Sequence, residues 1–494
     1  MCLLNLVRES RETRSLCARA RGKMPSFERE LSHKLWSFAF YLVHNYPRLM
    51  FGVSQDGIFA CCVYVLRWLN KLGLNRTRVM CSHGWTWDKK EALRCPMSVR
   101  EKLVDACAKN GIAEAADIRW AGATKEVWKY SSFMQRRDYE LKCEIGEFAS
   151  FGIEEKEIEY DESLSTLQKA RVMRVWRTDV DLRECNRYCI LLPFTGDEGF
   201  LIRRERSQEL VAKGVCCLIP EFAYYGTRRA LKGQTEFFMR SFSDFCTKAL
   251  ITYTDVVALT AYVKEELAMH EHENGGLVIS GCSIGGYYCA QAASLAQLLT
   301  KNKKMKKSQR MVDLKIGISV FCGWTSYFDW FQDEQKVPMA SILIDLETLA
   351  EQELSSLDKM TKDVSEAYHE ARKETNLKAR RNKMRKLLAL FMNDMTCLSS
   401  LKWRIKEHAK KLKTTKKLLN FDGILDAASF TLARRDKFVP YSEKKMERDS
   451  KEMSALSRTK AIVQVFECDH METVQSVELA IPIILDTFDR MSKL

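Results

Sequence analysis

A serine between two glycines lies where an apolar segment of the sequence gives way to a helical pattern. The segment at 276–280 (GLVIS) is followed directly by GCSIGG, in which Gly281, Ser283 and Gly285 form a G-x-S-x-G motif. On a sharp strand-to-helix turn the serine hydroxyl is exposed beside the N–H groups of the helix start, and the glycines avoid contact with neighbouring backbone. The motif therefore predicts a nucleophilic serine that attacks carbonyl carbon atoms; the alternative is an ordinary strand-to-helix turn.

A nucleophilic serine needs a base, and His470 is the candidate. It follows Ser283 in the chain and comes just after an apolar strand pattern at 461–466. We expect the histidines of the charged helical segment to be exposed, and the two before the serine strand have no further ligands for a metal site. These four are His369, His408, His270 and His272. The sequence predicts neither a metal site nor a cofactor.

The base in turn needs an acid that orients it, in the loop after the preceding strand. The strand pattern at 427–433 runs into RRDKFVP, which makes Asp436 the candidate. Four other carboxylates are less well placed: Asp422 and Asp426 before that strand, Asp469 adjacent to the histidine, and Glu467, which is the reserve.

Two backbone N–H groups should bind the oxyanion that forms during attack. One is expected from Ile284, the residue after the nucleophile. The other is expected from the loop after the strand at 187–193, where Gly196 permits an irregular backbone and Phe194 or Thr195 supplies the N–H.

Short apolar segments alternate with helical patterns over the part of the chain that contains these residues. Such alternation is typical of an α/β fold with a mainly parallel sheet covered by helices on both faces. The expected strands lie at 170–177, 187–193, 214–220, 276–280, 316–321, 427–433 and 461–466. The 18 cysteines are dispersed on apolar stretches, which favours buried free thiols over disulfides or zinc.

The same patterns divide the chain into four parts. Residues 1–137 are expected to form an N-terminal basic, helical extension, and residues 138–329 and 421–494 the two parts of the α/β core. Residues 330–420 contain no strand candidate. We therefore expect them to form a basic helical insertion, a lid over the carboxyl edge of the sheet.

Net charge is concentrated in this insertion. The chain has 79 Lys and Arg against 65 Asp and Glu, and residues 371–420 alone carry 16 against 3. Because apolar residues lie among these cations, a helix here could rest on an anionic membrane surface. A solvated helical hairpin is the alternative. Nucleic acid is disfavoured, since no recognised nucleic-acid-binding motif accompanies the charge.

The N-terminal residues resemble a targeting segment only in part. Residues 1–23 are rich in Arg and have no apolar region of signal-peptide length, which argues against secretion. A mitochondrial presequence and a disordered tail are the alternatives. The apolar runs at 35–43 and 58–66 are shorter than the ~18 to 20 residues that span a bilayer. We expect an intracellular protein, either mitochondrial, cytoplasmic or peripherally membrane-bound.

Five segments resemble those of the α/β-hydrolase domain-containing protein 18 family: FTGDEGF at 194–200, EFAYYGTRR at 221–229, GCSIGG at 281–286, ARRDKFVP at 433–440 and ECDH at 467–470. The resemblance covers roughly 138–330 and 420–494, and HGW at 83–85 extends it weakly. The family triad falls on Ser283, Asp436 and His470.

The resemblance implies an α/β-hydrolase fold and a membrane-associated serine hydrolase, plausibly a mitochondrial lipid deacylase. Phe194 stands where the family has Gly, Ala223 where it has Pro, and Ile284 where it has Met. The larger side chain of Phe194 would narrow the space in which the loop binds the oxyanion.

The sequence thus predicts a serine hydrolase of acyl esters, with membrane lipids as the implied substrates. A catalytically inactive binding protein of the same fold and an acyltransferase with the same triad are the alternatives. The sequence does not indicate the oligomeric state.

Overall fold

A ten-stranded sheet forms the centre of the computed structural model. The structure describes residues 94–109, 115–121, 126–150, 165–229, 242–300, 312–327, 362–412, 421–436, 438–439 and 441–494. The expected N-terminal presequence, the apolar runs at 35–43 and 58–66, and the HGW segment lie outside these residues.

The structure describes ten strands, of which the last seven coincide with the apolar segments of the sequence. The ten strands are β1 (Arg119–Trp120), β2 (Glu126–Ser132), β3 (Arg137–Ala149), β4 (Lys169–Arg177), β5 (Arg187–Leu192), β6 (Cys216–Pro220), β7 (Asn274–Cys282), β8 (Asp313–Phe321), β9 (Ala427–Ala433) and β10 (Ile462–Phe466). Their order in the sheet is β1-β3-β4-β6-β5-β7-β8-β9-β10, with β2 paired to β3.

Six neighbouring strands, β6-β5-β7-β8-β9-β10, are parallel, and β4 joins them antiparallel through β6. The mainly parallel α/β class predicted from the sequence is therefore confirmed. The sheet begins earlier than the expected boundary at 137/138, because β1 and β2 pair with β3. β2 was not expected because its residues (EVWKYSS) are polar, aromatic and largely exposed at the sheet edge, without an apolar period.

The helices connect the strands or pack beside them. They are α1 (Arg94–Ala108), α2 (Leu201–Ala212), α3 (Phe242–Met269), α4 (Ile284–Thr300), α5 (Lys362–Lys373), α6 (Leu377–Thr396), α7 (Leu398–Lys411), α8 (Glu443–Leu456), α9 (His470–Gln475) and α10 (Val477–Ser492). Short helical turns lie at Ser165–Gln168, Leu182–Glu184 and Gly226–Arg228.

Adjacent glycines in β7 show that helices cover both faces of the sheet. A Cβ on Gly275 would be 2.3 Å from the side chain of Leu267 in α3, whereas a Cβ on Gly276 would be 3.3 Å from Phe488 in α10. Successive residues of a strand point to opposite faces, so α3 and α10 lie on opposite sides. The glycines allow both helices to approach the central strands closely.

The described part of the basic insertion, residues 362–412, is helical and packs on other helices. Tyr253 in α3 donates from its hydroxyl to the Thr396 carbonyl at 3.0 Å, and Gln291 in α4 accepts from the Leu398 N–H at 3.2 Å. Five apolar residues for which the sequence suggested contact with lipid are instead buried within the protein: Leu387, Leu388, Phe391, Leu401 and Ile405. Trp403, in contrast, is 57% exposed.

Among the described residues, no helix is long and apolar enough to cross a membrane.

Candidate active site

Ser283 lies on the turn between β7 and α4, in the left-handed region of backbone space. Its φ is 56°, which is uncommon for a residue with a side chain and costs of order 1–2 kcal/mol. The Ser283 N–H donates to the Phe321 carbonyl at the end of β8 (2.9 Å), and the Ser283 carbonyl accepts from the Tyr287 N–H (3.1 Å). These bonds hold a strained turn, and the serine stays partly exposed between buried neighbours.

Neighbouring backbone atoms leave no room for a side chain at either of the two motif glycines. A Cβ on Gly281 would be 2.5 Å from the backbone carbon of Gly285, and a Cβ on Gly285 would be 2.3 Å from the carbonyl oxygen of Pro193. Real Cβ atoms do not approach backbone so closely. The elbow can therefore form only with glycine at both positions.

Gly285→Ala should destabilise the protein by about 3 kcal/mol or more, because its Cβ meets backbone that cannot move independently. It should also lower the hydrolysis rate, since Pro193 leads into the loop at 194–196. Chemical denaturation measures the first effect. Gly276→Ala is the control: its nearest neighbour is a Phe488 side chain at 3.3 Å, which can give way. Equal loss of stability in the two variants would contradict the steric argument.

Asp436 and His470 form a buried pair. The Nδ1 of His470 is 2.7 Å from Oδ2 of Asp436, and the two residues are 3% and 6% exposed. The other carboxylate oxygen, Oδ1, accepts the N–H groups of Phe438 and Val439, each at 2.8 Å. With its carboxylate fixed by backbone, Asp436 requires a proton on His470 Nδ1 and leaves Nε2 as an acceptor.

The other carboxylates considered from the sequence have different partners. Asp469 caps α9: it accepts the Glu472 N–H at 2.9 Å, and Glu472 accepts the Asp469 N–H at 2.7 Å. This capping box fixes the start of the helix whose first residue is His470. Glu467 pairs with Arg434 at the surface, both at least half exposed. Asp426 accepts the Ile316 N–H at 2.8 Å before β9.

The other histidines considered from the sequence have different surroundings. His369 is exposed, and His408 is paired with Asp105 at 3.0 Å. His272 Nε2 is 2.7 Å from the Arg183 carbonyl.

The loop predicted to bind the oxyanion follows β5 directly. Gly196 has φ 89°, and its N–H donates to the Tyr225 hydroxyl at 3.4 Å. Within the described part of the chain, no acceptor lies opposite the N–H groups of Thr195 or Ile284. These two N–H groups are therefore available to a ligand. Phe194 is 8% exposed, with its ring below the Arg206 guanidinium at 5.4 Å.

Buried ion pairs hold this loop, and sequence reasoning missed them. Asp197 accepts from Arg203 Nε of α2 at 2.7 Å, and both residues are at most 2% exposed. Arg203 also donates to the carbonyls of Leu191, Pro220 and Gly199. The aspartate of the TGD segment thus anchors the oxyanion loop to α2 and to the ends of two strands.

The YYG segment supports the same loop from the other side. Arg229 pairs with Glu198, and Arg228, which is fully buried, pairs with Asp255 at 2.7 Å. Glu221 accepts the Thr227 N–H at 3.2 Å. The adjacent arginines in the sequence suggest ion pairs, but nothing near them in the sequence identifies the carboxylates with which they pair.

Lys248 of α3 is a buried cation below this loop. It is fully buried, and among the described residues its Nζ finds no hydrogen-bond acceptor. The ammonium lies 3.6 Å from the Tyr225 ring centroid and 4.9 Å from that of Phe222. Burial lowers the pKa of Lys248 well below its usual value, and the charge of Glu198 offsets this only in part.

Lys248→Met should raise the free energy of unfolding by about 1–3 kcal/mol, because it keeps the length and removes an unbonded charge from the interior. The unfolded chain binds the Lys248 proton more tightly than the native state. The free energy of unfolding of the wild type therefore rises as the pH increases from the native-state pKa of Lys248 toward its usual value of 10.5. Over the same pH range the difference in stability between the variant and the wild type becomes smaller. Urea unfolding at neutral and alkaline pH measures both effects.

Lys264→Met is the matched control, since Lys264 Nζ donates to the Thr300 carbonyl at 2.7 Å. It should stabilise less than Lys248→Met or destabilise. A Lys248→Met protein less stable than wild type would contradict the assignment of an uncompensated charge.

Two thiols, those of Cys282 and Cys322, lie near the serine and the histidine. Burial raises the pKa of Cys282 to about 12 and that of Cys322 well above its usual value. Both thiols therefore stay protonated at neutral pH, and a protonated thiol is a poor nucleophile. The twelve cysteines whose side chains the structure describes are free.

One group of possible metal ligands occurs among the described residues: Cys322, Asp436 and His470, with ligand atoms within 4.8 Å of one another. A metal there would replace the proton shared by Asp436 and His470. The hydrogen bond between these two explains their placement without a metal.

Comparison with known proteins agrees with the resemblance seen in the sequence. The family model described as alpha/beta hydrolase domain containing 18 matches residues 163–302, which include Ser283 and the oxyanion loop. No curated protein matches the chain. With the strand order above, the match shows the α/β-hydrolase fold, as predicted.

Two of the solved structures that are similar to the chain are esterases. Acetyl xylan esterase 1 of Thermoanaerobacterium sp. has 11% identity, covering 79% of this chain and 93% of that one, with a TM-score of 0.41. A butyrate-bound esterase of Thermogutta terrifontis has 9% identity, covering 66% and 89%, with a TM-score of 0.35. At these scores neither carries an argument about substrate.

Proposed function

We propose that the protein is a serine hydrolase that cleaves acyl esters of membrane lipids. Ser283 is the nucleophile, His470 the base, and Asp436 the acid that orients the base. The observation that carries the proposal is the 2.7 Å bond between His470 Nδ1 and an Asp436 carboxylate that two backbone N–H groups hold in place. This pair lies on the sheet edge where the elbow presents Ser283.

Two contacts at the strand ends support the proximity of these groups. The Ser283 N–H bonds to the carbonyl of Phe321, and the next residue, Cys322, has its thiol within 4.8 Å of the Asp436 and His470 ligand atoms. The nucleophile, the base and the acid come from three loops after β7, β10 and β9. Parallel strands bring such loops to one edge.

The reaction proceeds through an acyl-enzyme. Ser283 Oγ attacks the ester carbonyl carbon while His470 Nε2 takes the hydroxyl proton, and the N–H groups of Ile284 and Thr195 bind the oxyanion. When the tetrahedral intermediate collapses, the C–O bond breaks and His470 gives its proton to the leaving alcohol. Water then repeats the attack with His470 as base, releasing the acid and restoring Ser283.

Acyl lipids as substrates are supported by the family resemblance. Contact with an anionic membrane through residues 371–420 is part of the proposal and would rest on surface cations and Trp403, because the apolar residues of the insertion are buried. Liposome sedimentation with and without anionic lipid tests that contact. Sedimentation that does not depend on anionic lipid would contradict it.

Covalent labelling with a fluorophosphonate tests the catalytic assignment. The probe phosphonylates a serine only when a base activates it, so wild type should be labelled and Ser283→Ala should not. Equal labelling of the two proteins would exclude Ser283 as the nucleophile. An unlabelled wild type would favour a binding protein that retains the fold, and transfer of the acyl group to an added alcohol rather than to water would favour the acyltransferase.

A further inference from the structure

A cavity lies behind the elbow, on the face of the sheet covered by α2 and α10. Its volume is about 40 Å³, and it is partly open to solvent. Leu192 and Cys282 line it from the strand ends, Arg206 and Leu210 from α2, and Val477 and Ile481 from α10. Neither Ser283 nor His470 lines the cavity. It is therefore separate from the position of the reacting ester.

Arg206 brings an uncompensated positive charge to this cavity. Of the two cavity arginines, Arg203 uses its guanidinium on Asp197 and three carbonyls, whereas Arg206 has neither an ion pair nor a hydrogen bond among the described residues. The Phe194 ring at 5.4 Å is its only ring contact in that set. Asp197, the carboxylate that acts on both arginines, is bonded to Arg203, so among the described residues Arg206 has no carboxylate within ion-pair distance.

The rest of the cavity wall selects for an apolar tail. A guanidinium matches the planar, bidentate geometry of a carboxylate, while the neighbouring leucine, valine and isoleucine side chains offer only hydrocarbon. On the same measure a water molecule takes about 10–15 Å³, so the cavity holds about three. That space, which is partly open to solvent, admits a short carboxylate and excludes a long acyl chain.

We propose that this cavity binds a short-chain carboxylate, with its oxygens on Arg206 and its carbon atoms between α2 and α10. The site adjoins Cys282, the residue before the nucleophile, so its occupant contacts the elbow from behind. Binding does not require turnover. The proposal is therefore tested independently of the hydrolase function.

Isothermal titration calorimetry of butyrate into Ser283→Ala protein tests the site without catalysis. Saturable binding is expected, at least tenfold weaker when Arg206→Gln is added. Arg204→Gln is the matched control: Arg204 is on the same helix but pairs with Glu126 and lies over Trp128, so binding should not change. Ala480→Leu keeps Arg206 and fills the cavity, and it should also weaken binding at least tenfold.

Two further ligands test separately what the negative charge and the apolar tail of the ligand contribute to binding. Butanamide has the same length without the charge and should bind at least tenfold more weakly; inorganic phosphate has charge without an apolar tail and should also bind more weakly. Equal butyrate affinity in the Arg206→Gln and Arg204→Gln proteins would overturn the proposal. So would butanamide or phosphate binding as tightly as butyrate, or an Ala480→Leu protein with unchanged affinity.

Discussion

Ser283→Ala should lower kcat for a soluble ester such as p-nitrophenyl butyrate by about ten-thousand- to million-fold, leaving only what the oxyanion N–H groups and substrate binding supply. The substitution removes one oxygen atom and leaves the backbone unchanged. The strained φ of 56° is tolerated equally by serine and alanine. The Ser283→Ala substitution should therefore slow the chemical step and change the unfolding temperature little.

Ser280→Ala in the same strand is the control for the serine substitution, because Ser280 is buried and precedes the turn. Its kcat should stay close to that of wild type. If the Ser283→Ala protein retained more than a small fraction of wild-type kcat, another nucleophile would have to be sought.

Asp436→Asn should lower kcat by about ten-thousand-fold. Oδ1 of Asp436 accepts two backbone N–H groups, so the asparagine oxygen must remain there and its NH₂ must face His470 Nδ1. An NH₂ donor requires Nδ1 without a proton, which moves the proton to Nε2. The imidazole then cannot accept the Ser283 proton. Steady-state kinetics should show the loss in kcat with a nearly unchanged KM.

Asp469→Asn removes the same charge from the residue next to His470 and is the matched control. Asparagine is as good an N-cap as aspartate, so α9 should persist and kcat should stay near wild type. If Asp469→Asn lost as much activity as Asp436→Asn, local charge rather than imidazole orientation would explain both results.

Apolar strands and the order of the motif residues could be predicted from the sequence. The segments of β5 to β9 are short and apolar because they are buried on both faces, which is a pattern that one sequence displays. The placement of Asp436 after β9 and of His470 after β10 followed from the same patterns, since the loops after parallel strands share one edge. The catalytic roles of these residues remain predictions.

Long-range pairing of charges could not be predicted. Arg203, Arg228 and Lys248 are as buried as the core, yet a charged residue is expected at the surface unless its partner is known. The partner of Arg228, Asp255, comes from another segment, and Lys248 has no hydrogen-bond acceptor among the described residues. The apolar residues of α6 and α7 posed a related problem, because an amphipathic helix looks the same in sequence whether its apolar face meets lipid or protein.

The position of β9 after the long insertion has a consequence for the order of folding. The elbow forms within β7 and α4, whereas Asp436 and His470 follow β9 and β10, and β9 must first pair with β8 across more than a hundred intervening residues before β10 can pair with β9. Closing so long a loop is entropically costly, and contacts of high contact order form slowly. Hydrolytic competence should therefore be acquired last, and a nascent chain would carry its nucleophile without the base that activates it.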